Sequence, residues 1–159
     1  MWRRAWVDGV DRLESRPGVP YRISQDYGTG VLSQGTADWQ DYRVSADVAI
    51  VLARNGGIAA RVTGLRRWYG LLLCHDGMAR LVRYRDDLTT LAEAPFRLDL
   101  DRTYRLALTV RDRVIEGEVD GERLLTVIDD ERPLKGGGAG LLITEGTLSS
   151  GPVRIEPLR

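Results

Sequence analysis

The chain has 159 residues, 43% of them apolar and 29% charged, and its 23 Lys and Arg are balanced by 23 Asp and Glu. That length suits one domain with a sizeable core. The zero formal net charge argues against a nucleic-acid partner, which would need clustered, uncompensated cations. No apolar run approaches the ~20 residues that cross a membrane. The single cysteine, Cys74, excludes an internal disulfide, and the single histidine, His75, excludes a His-rich zinc site. The opening Met-Trp-Arg-Arg-Ala-Trp lacks the apolar stretch of a secretory signal, so the sequence reads as a soluble, cytoplasmic protein. Lys135 is its only lysine. GC-rich bacterial codon usage accounts for such an arginine excess more simply than side-chain chemistry does, although arginine's planar fork suits carboxylates, phosphates and sugar hydroxyls.

In chain order, the segment Val10 to Arg16 is compatible with one helical turn, and no longer helical stripe follows. From there the apolar period is two. Tyr42, Val44, Ala46, Val48, Ile50 and Leu52 share one face of a strand whose other face begins Arg43, Ser45, Asp47. Tyr104, Leu106, Leu108 and Val110 repeat the pattern against Arg105, Ala107, Thr109 and Arg111. Strands are predicted near 21–25, 30–34, 42–53, 57–63, 68–74, 78–84, 88–92, 104–111, 113–119, 123–129, 138–144 and 152–157. Turn signals separate several of them, at Asn55-Gly56-Gly57, Asp76-Gly77, Asp86-Asp87, Arg111-Asp112-Arg113 and Asp120-Gly121. Many short strands at such spacing, with no linker, repeat or low-complexity tract, predict one all-β domain over 1–159, a two-sheet antiparallel β-sandwich.

A further run of short motifs sharpens this. Asp38-Trp39-Gln40-Asp41-Tyr42 is followed by Asn55-Gly56-Gly57-Ile58-Ala59-Ala60-Arg61 and Trp68-Tyr69-Gly70-Leu71. Then come Ala79-Arg80-Leu81-Val82-Arg83, Tyr104-Arg105-Leu106, Val119-Asp120-Gly121, Asp129 and Gly138-Ala139-Gly140-Leu141. From about Trp39 onward this order resembles the concanavalin A-like lectin/glucanase jelly roll, and is similar to laminin-G-type and 3-keto-disaccharide-hydrolase-type domains. The wording is closest to the β-sandwich that follows the catalytic domain in some bacterial ADP-ribosylglycohydrolase-like proteins. The resemblance implies an accessory, lectin-like binding module and not the catalytic part, whose helical domain and acidic metal-binding residues are absent here. It also raises calcium, for which Asp129 and Asp8 would be ligands. That ion takes roughly six to eight oxygens, and two aspartates without a cluster fall short of that number.

Three catalytic patterns are weighed against plainer readings. Glu118-Val119-Asp120-Gly121-Glu122 resembles the Glu-x-Asp-x-Glu strand of retaining β-glucanases, whose paired carboxylates stand about 5–5.5 Å apart. Asp-Gly is also a strong hairpin signal, and a turn there sends Glu122 onto the next strand. Gly136 to Gly140 lacks the Gly-Lys-Ser/Thr ending and following helix of a phosphate loop, so these glycines read as a tight turn with close backbone approach. Cys74 and His75 are sequence neighbours and would point to opposite faces of a strand, which leaves Cys74 as a buried small hydrophobe.

What remains is ligand binding on one sheet face. Sugars stack on aromatic rings while polar groups hydrogen-bond their hydroxyls. The alternation places Arg61 outside the core, to be joined by one of Trp68 and Tyr69 and by one of Arg80 and Arg83, with Trp39 in a preceding loop. The competing reading makes the aromatics core residues and the arginines solvated. The sequence therefore predicts a non-catalytic module for a glycan, sugar nucleotide or other sugar-containing small molecule, with no resident cofactor. The alternative is a docking module for an ADP-ribosylglycohydrolase-like catalytic domain, and a glycoside hydrolase stands third.

Overall fold

Alternation of apolar and polar residues buries one face of each strand, and two such faces must meet to exclude water. The computed structural model, which describes residues 7–10, 12–16 and 19–158, resolves this as an antiparallel sandwich. Its described strands are β1 (Val7–Gly9), β2 (Arg12–Arg16), β3 (Val19–Gln34), β4 (Tyr42–Leu52), β5 (Asn55–Gly64), β6 (Arg67–Cys74) and β7 (Met78–Arg85). They continue as β8 (Asp87–Pro95), β9 (Thr103–Arg111), β10 (Val114–Val119), β11 (Glu122–Ile128), β12 (Gly138–Ser150) and β13 (Arg154–Pro157). The first sheet runs β11-β10-β9-β4 and is continued by the C-terminal half of β12, which pairs with β4 from Thr147 to Ser150. The second runs β8-β7-β6-β5 and is continued by the N-terminal half of β12, which pairs with β5 from Gly138 to Thr144. β3 follows β12 along its whole length. These two long strands pass from one sheet into the other.

That passage explains the largest departure from the predicted strands. Separate strands are predicted at 21–25 and 30–34, and the strand beginning at 138 is predicted to stop at 144. The structure keeps both strands continuous and bends them there. Gly28 and Glu145 have φ of 65° and 48°, and the register slips between Thr144 and Gly146. A bulge lets a strand turn a corner without giving up its ladder. Arg12–Arg16 is a strand paired with β3, which replaces the helical turn expected there. Its partner strand supplies the hydrogen bonds that one isolated turn of helix lacks.

The core lies between the sheets. Tyr42, Val44, Ala46, Val48 and Ile50 of β4 and Tyr104, Leu106, Leu108 and Val110 of β9 face Ile58, Tyr69, Leu71, Leu73 and Leu81 of the second sheet, all buried. A second, smaller cluster of Val31, Ala59, Trp68, Leu72, Val82 and Leu142 forms on the opposite face of that second sheet. Asp120 and Gly121 both have positive φ, 52° and 82°, and form the two-residue hairpin turn that the Asp-Gly pair favours.

Candidate functional site

The inner face of the β6–β7 hairpin changes character toward one end. Residue pairs directly opposite each other run Leu71–Leu81, then Tyr69–Arg83, then Arg67–Arg85. With period two these pairs share one face, so the apolar core gives way first to buried polar groups and then to open arginines. The segment 129–137, irregular apart from its turns, closes that end.

The buried polar layer fixes this segment. The Tyr69 hydroxyl donates to Asp129 Oδ2 at 2.7 Å and accepts the Leu134 N–H at 2.8 Å. Arg83 donates to Asp129 Oδ1 at 2.6 Å, with both side chains almost wholly buried. Burial alone would raise the Asp129 carboxyl, but the bonds from Tyr69 and Arg83 outweigh it and hold the group below the usual carboxylate range. Burial, with the Asp129 carboxylate beside it, pushes the Tyr69 hydroxyl upward.

Arg61 completes the frame. It has a φ of 51° and sits where the β5–β6 register shifts. The expectation that it points out of the core is corrected here: it is 1% exposed, because the bulge breaks the alternation that assigned its face. Its guanidinium donates to the carbonyls of Gln40 (2.9 Å), Asp112 (2.5 Å) and Leu134 (2.8 Å), and to Asp41 Oδ1 at 3.1 Å. The Leu134 carbonyl is thus held by Arg61 and its N–H by Tyr69. The Arg61 N–H donates to the Tyr42 hydroxyl at 2.6 Å, and that hydroxyl's own proton is shared between the Gly137 and Gly138 carbonyls, each 2.9 Å away. Burial pushes the Tyr42 hydroxyl up to about 12. Gly137 runs so close that a Cβ there would meet the Arg61 carbonyl carbon and the Val62 oxygen at 2.5 Å, so the close-approach reading of these glycines holds.

Two clefts open on either side of this pinned segment, and Pro133, Leu134 and Lys135 line both. The larger, about 560 Å³, also has Ala37, Thr63, Arg67, Arg85, Arg132 and Glu131 in its walls. The smaller, about 350 Å³, is bounded by Gln40, Asp41, Arg61, Asp112 and Arg113.

The residues singled out from sequence fall into two groups. Arg61, Tyr69 and Arg83 do come together, but inside the protein, where they hold the segment 129–137 in place. Trp39 is half-buried beside them, edge-on to Tyr42 with ring centroids 6.0 Å apart, and its carbonyl accepts the Gly137 N–H. Trp68 lies on the outer face of the second sheet and is 1% exposed, its indole N–H on the Leu65 carbonyl and its ring against Tyr84. It offers no open stacking platform. Arg80 is partly open on that same outer face, but Asp76 and Glu93 hold it through bonds of 2.6–3.1 Å.

The other candidates settle as follows. Both Asp129 oxygens are engaged by Tyr69 and Arg83, so this buried, already neutralised carboxylate is not open to the calcium that the resemblance raised. The Asp8 side chain lies outside the described residues. Glu118 is paired with Arg43, while Asp120 lies in the turn and accepts the Arg105 N–H at 2.9 Å. The Cys74 thiol is buried, and burial pushes it up, away from the thiolate form. Sequence reasoning missed Arg67, Arg85, Arg132 and Lys135. Two signals pointed to them: the period-two extension of Tyr69 and Arg83 toward the strand ends, and a nine-residue stretch without alternation that contains the only lysine.

The architecture is that of a jelly-roll, galectin-like β-sandwich, and known structures share it. No protein-family model matches the chain, and no curated protein matches it in sequence. The carbohydrate-binding module CBM66 from Bacillus subtilis superposes with a TM-score of 0.85 at 14% identity, over 96% of this chain and 95% of that one. A Bacillus subtilis protein of unknown function with a galectin-like fold gives 0.73 at 12% identity, over 97% and 90%. A putative glycosyl hydrolase from Parabacteroides distasonis gives 0.68 at 12% identity, over 98% and 89%. At these identities the likeness is one of fold. Nothing in it supports an association with ADP-ribosylglycohydrolases.

Proposed function

We propose that the protein is a non-catalytic binding module for a glycan or another sugar-containing ligand, seated in the paired clefts at the end of the sandwich closed by residues 129–137. The observation that carries this reading is the buried frame itself. Both backbone polar groups of Leu134 are held from inside, so the wall between the clefts is rigid before any ligand arrives. A preformed wall spares a ligand the entropy of ordering a loop. Arginine forks and backbone groups at the rim suit sugar hydroxyls. The fold shared with a carbohydrate-binding module adds support, and the Asp120-Gly121 turn, which places Glu118 and Glu122 on different strands, argues against glycosidase chemistry at that motif.

The test is affinity electrophoresis of the full chain in gels containing dextran, galactan or polygalacturonate, with ADP-ribose as a soluble competitor. Amide chemical-shift mapping with the retarding sugar then locates the site. The expected result is retardation in at least one gel, with shifts concentrated at 63–67, 85 and 131–136. Shifts confined to the outer sheet face around Arg80 would move the site. Absence of any retardation would overturn the reading in favour of the docking module.

A further inference from the structure

We infer that the larger cleft is a subsite for an anionic sugar, one carrying a carboxylate or a sulfate or phosphate ester. This rests on the glycan-binding reading and names the ligand class within it. The cleft walls carry Arg67, Arg85, Arg132 and Lys135 against the one carboxylate of Glu131, in a chain whose formal charges cancel. Several arginines elsewhere sit against a carboxylate: Arg43, Arg80, Arg105 and Arg123 are each paired with one. In the cleft such pairing is sparse. Arg67 approaches a carboxylate only at 3.8 Å, on Asp86. Arg85 has five N–H donors, of which one goes to the Pro133 carbonyl at 3.3 Å, and it has no carboxylate partner among the described residues. Arg132 and Lys135 make no ion pair among the described residues.

Arg67 and Arg85 are also directly opposite each other in the β6–β7 ladder. Like charges in that relation repel and weaken a sheet, and the pinned segment adds two more cations from the facing side. An anion between them would relieve this repulsion and take up the unspent donors, with guanidinium forks matching the paired oxygens of a carboxylate or an ester of sulfate or phosphate. The cleft's size falls in the ordinary range of small-ligand sites, about 300–1,000 Å³. Pro133, Ala37 and Gly136 supply the uncharged surface a sugar ring would cover. Because the cations converge on one cleft and do not track along the surface, the arrangement fits one acidic residue of a glycan and not a long polyanion.

The experiment compares polygalacturonate with its fully methyl-esterified form, and dextran sulfate with dextran, by isothermal titration calorimetry at two salt concentrations. These pairs differ only in the charged group. The variants are Arg132→Gln/Lys135→Gln and, as a control of equal charge change, Arg54→Gln/Arg154→Gln, each checked for an unchanged urea midpoint. The expected result is a preference of about tenfold or more for the charged polymer, abolished in the cleft variant and kept in the control. Which charged polymer binds identifies the anion as carboxylate or ester. Loss of the preference in both variants alike would overturn the subsite, since that is general charge attraction. Equal binding of charged and neutral polymers, weakened by the cleft variant, would overturn the acidic class and leave the glycan reading intact. Binding to none of the four polymers would overturn the acidic class, and the retardation test with galactan then decides the glycan reading separately.

Discussion

The outer face of the first sheet and the closed end of the sandwich are both rich in arginine, and they use it in opposite ways. On the outer face several charges sit beside their opposites: Asp47 and Arg105 are directly across from one another and 3.0 Å apart, Arg123 reaches Glu116, and Arg43 reaches Glu118. Such exposed pairs contribute little, because water already solvates both partners. At the closed end, Arg61 and Arg83 are withdrawn from water, Arg61 held by four oxygens and Arg83 by Asp129, while Arg67, Arg85 and Arg132 lie a few residues away with few partners of their own. A residue type therefore says little by itself; its place relative to the core and to the nearest carboxylate decides whether it supports, decorates or binds.

The sharpest way to break this contrast is at the buried pair. Asp129→Ala leaves the Arg83 charge uncompensated in the interior, and a loss of about 3–5 kcal/mol is expected in urea unfolding. The same group sets the acid limit. Asp129 ionises below its unfolded range in the native chain, so its contribution is complete above about pH 4 and disappears as the pH falls through the lower native value. Stability measured from pH 5 to pH 2 should therefore fall less steeply in Asp129→Asn than in the parent.

Tyr42 sets the corresponding alkaline limit. Its raised native pKa, about 12, means that its contribution is complete below about pH 10 and is lost as the pH rises toward 12. Unfolding of the parent between pH 9 and pH 12 should show an added loss on the order of 2–3 kcal/mol that Tyr42→Phe removes. An equal slope in the variant would mean that the hydroxyl is not held by Gly137 and Gly138.

On the outer sheet face the effects shrink. Glu118→Gln should change the urea midpoint by no more than about 1 kcal/mol in stability. A larger loss would show that this face is more than a solvated surface. Smallest of all on stability, Arg132→Gln/Lys135→Gln is expected to stay within about 0.5 kcal/mol of the parent, since neither side chain has an ion-pair partner among the described residues.

Much of the fold was legible because burial follows period two. The inner faces of β4 and β9 are the ones the alternation assigns, except that Leu52 at the end of β4 is 69% exposed, and the Asp120-Gly121 hairpin forms where its chemistry requires. The interrupted strands β3 and β12 were not legible, because a bulge looks in sequence like a strand end. For the site, the alternation joined Arg61 to one of Trp68 and Tyr69 and to one of Arg80 and Arg83; it left open that the members brought together are Tyr69 and Arg83, and that their neighbourhood is interior. Arg61 was assigned to the outside by counting alternate residues across a position where the backbone has positive φ and the count fails.

The sequence by itself determined an all-β sandwich, its apolar faces and most of its turns, because these depend on local alternation and on residues such as Gly and Asp that tolerate positive φ. Only the tertiary structure decided which arginines are buried and which open. That choice depends on where the segment 129–137 lands, and its position is fixed by hydrogen bonds from Arg61, Tyr69 and Arg83, residues 46 to 73 positions away along the chain.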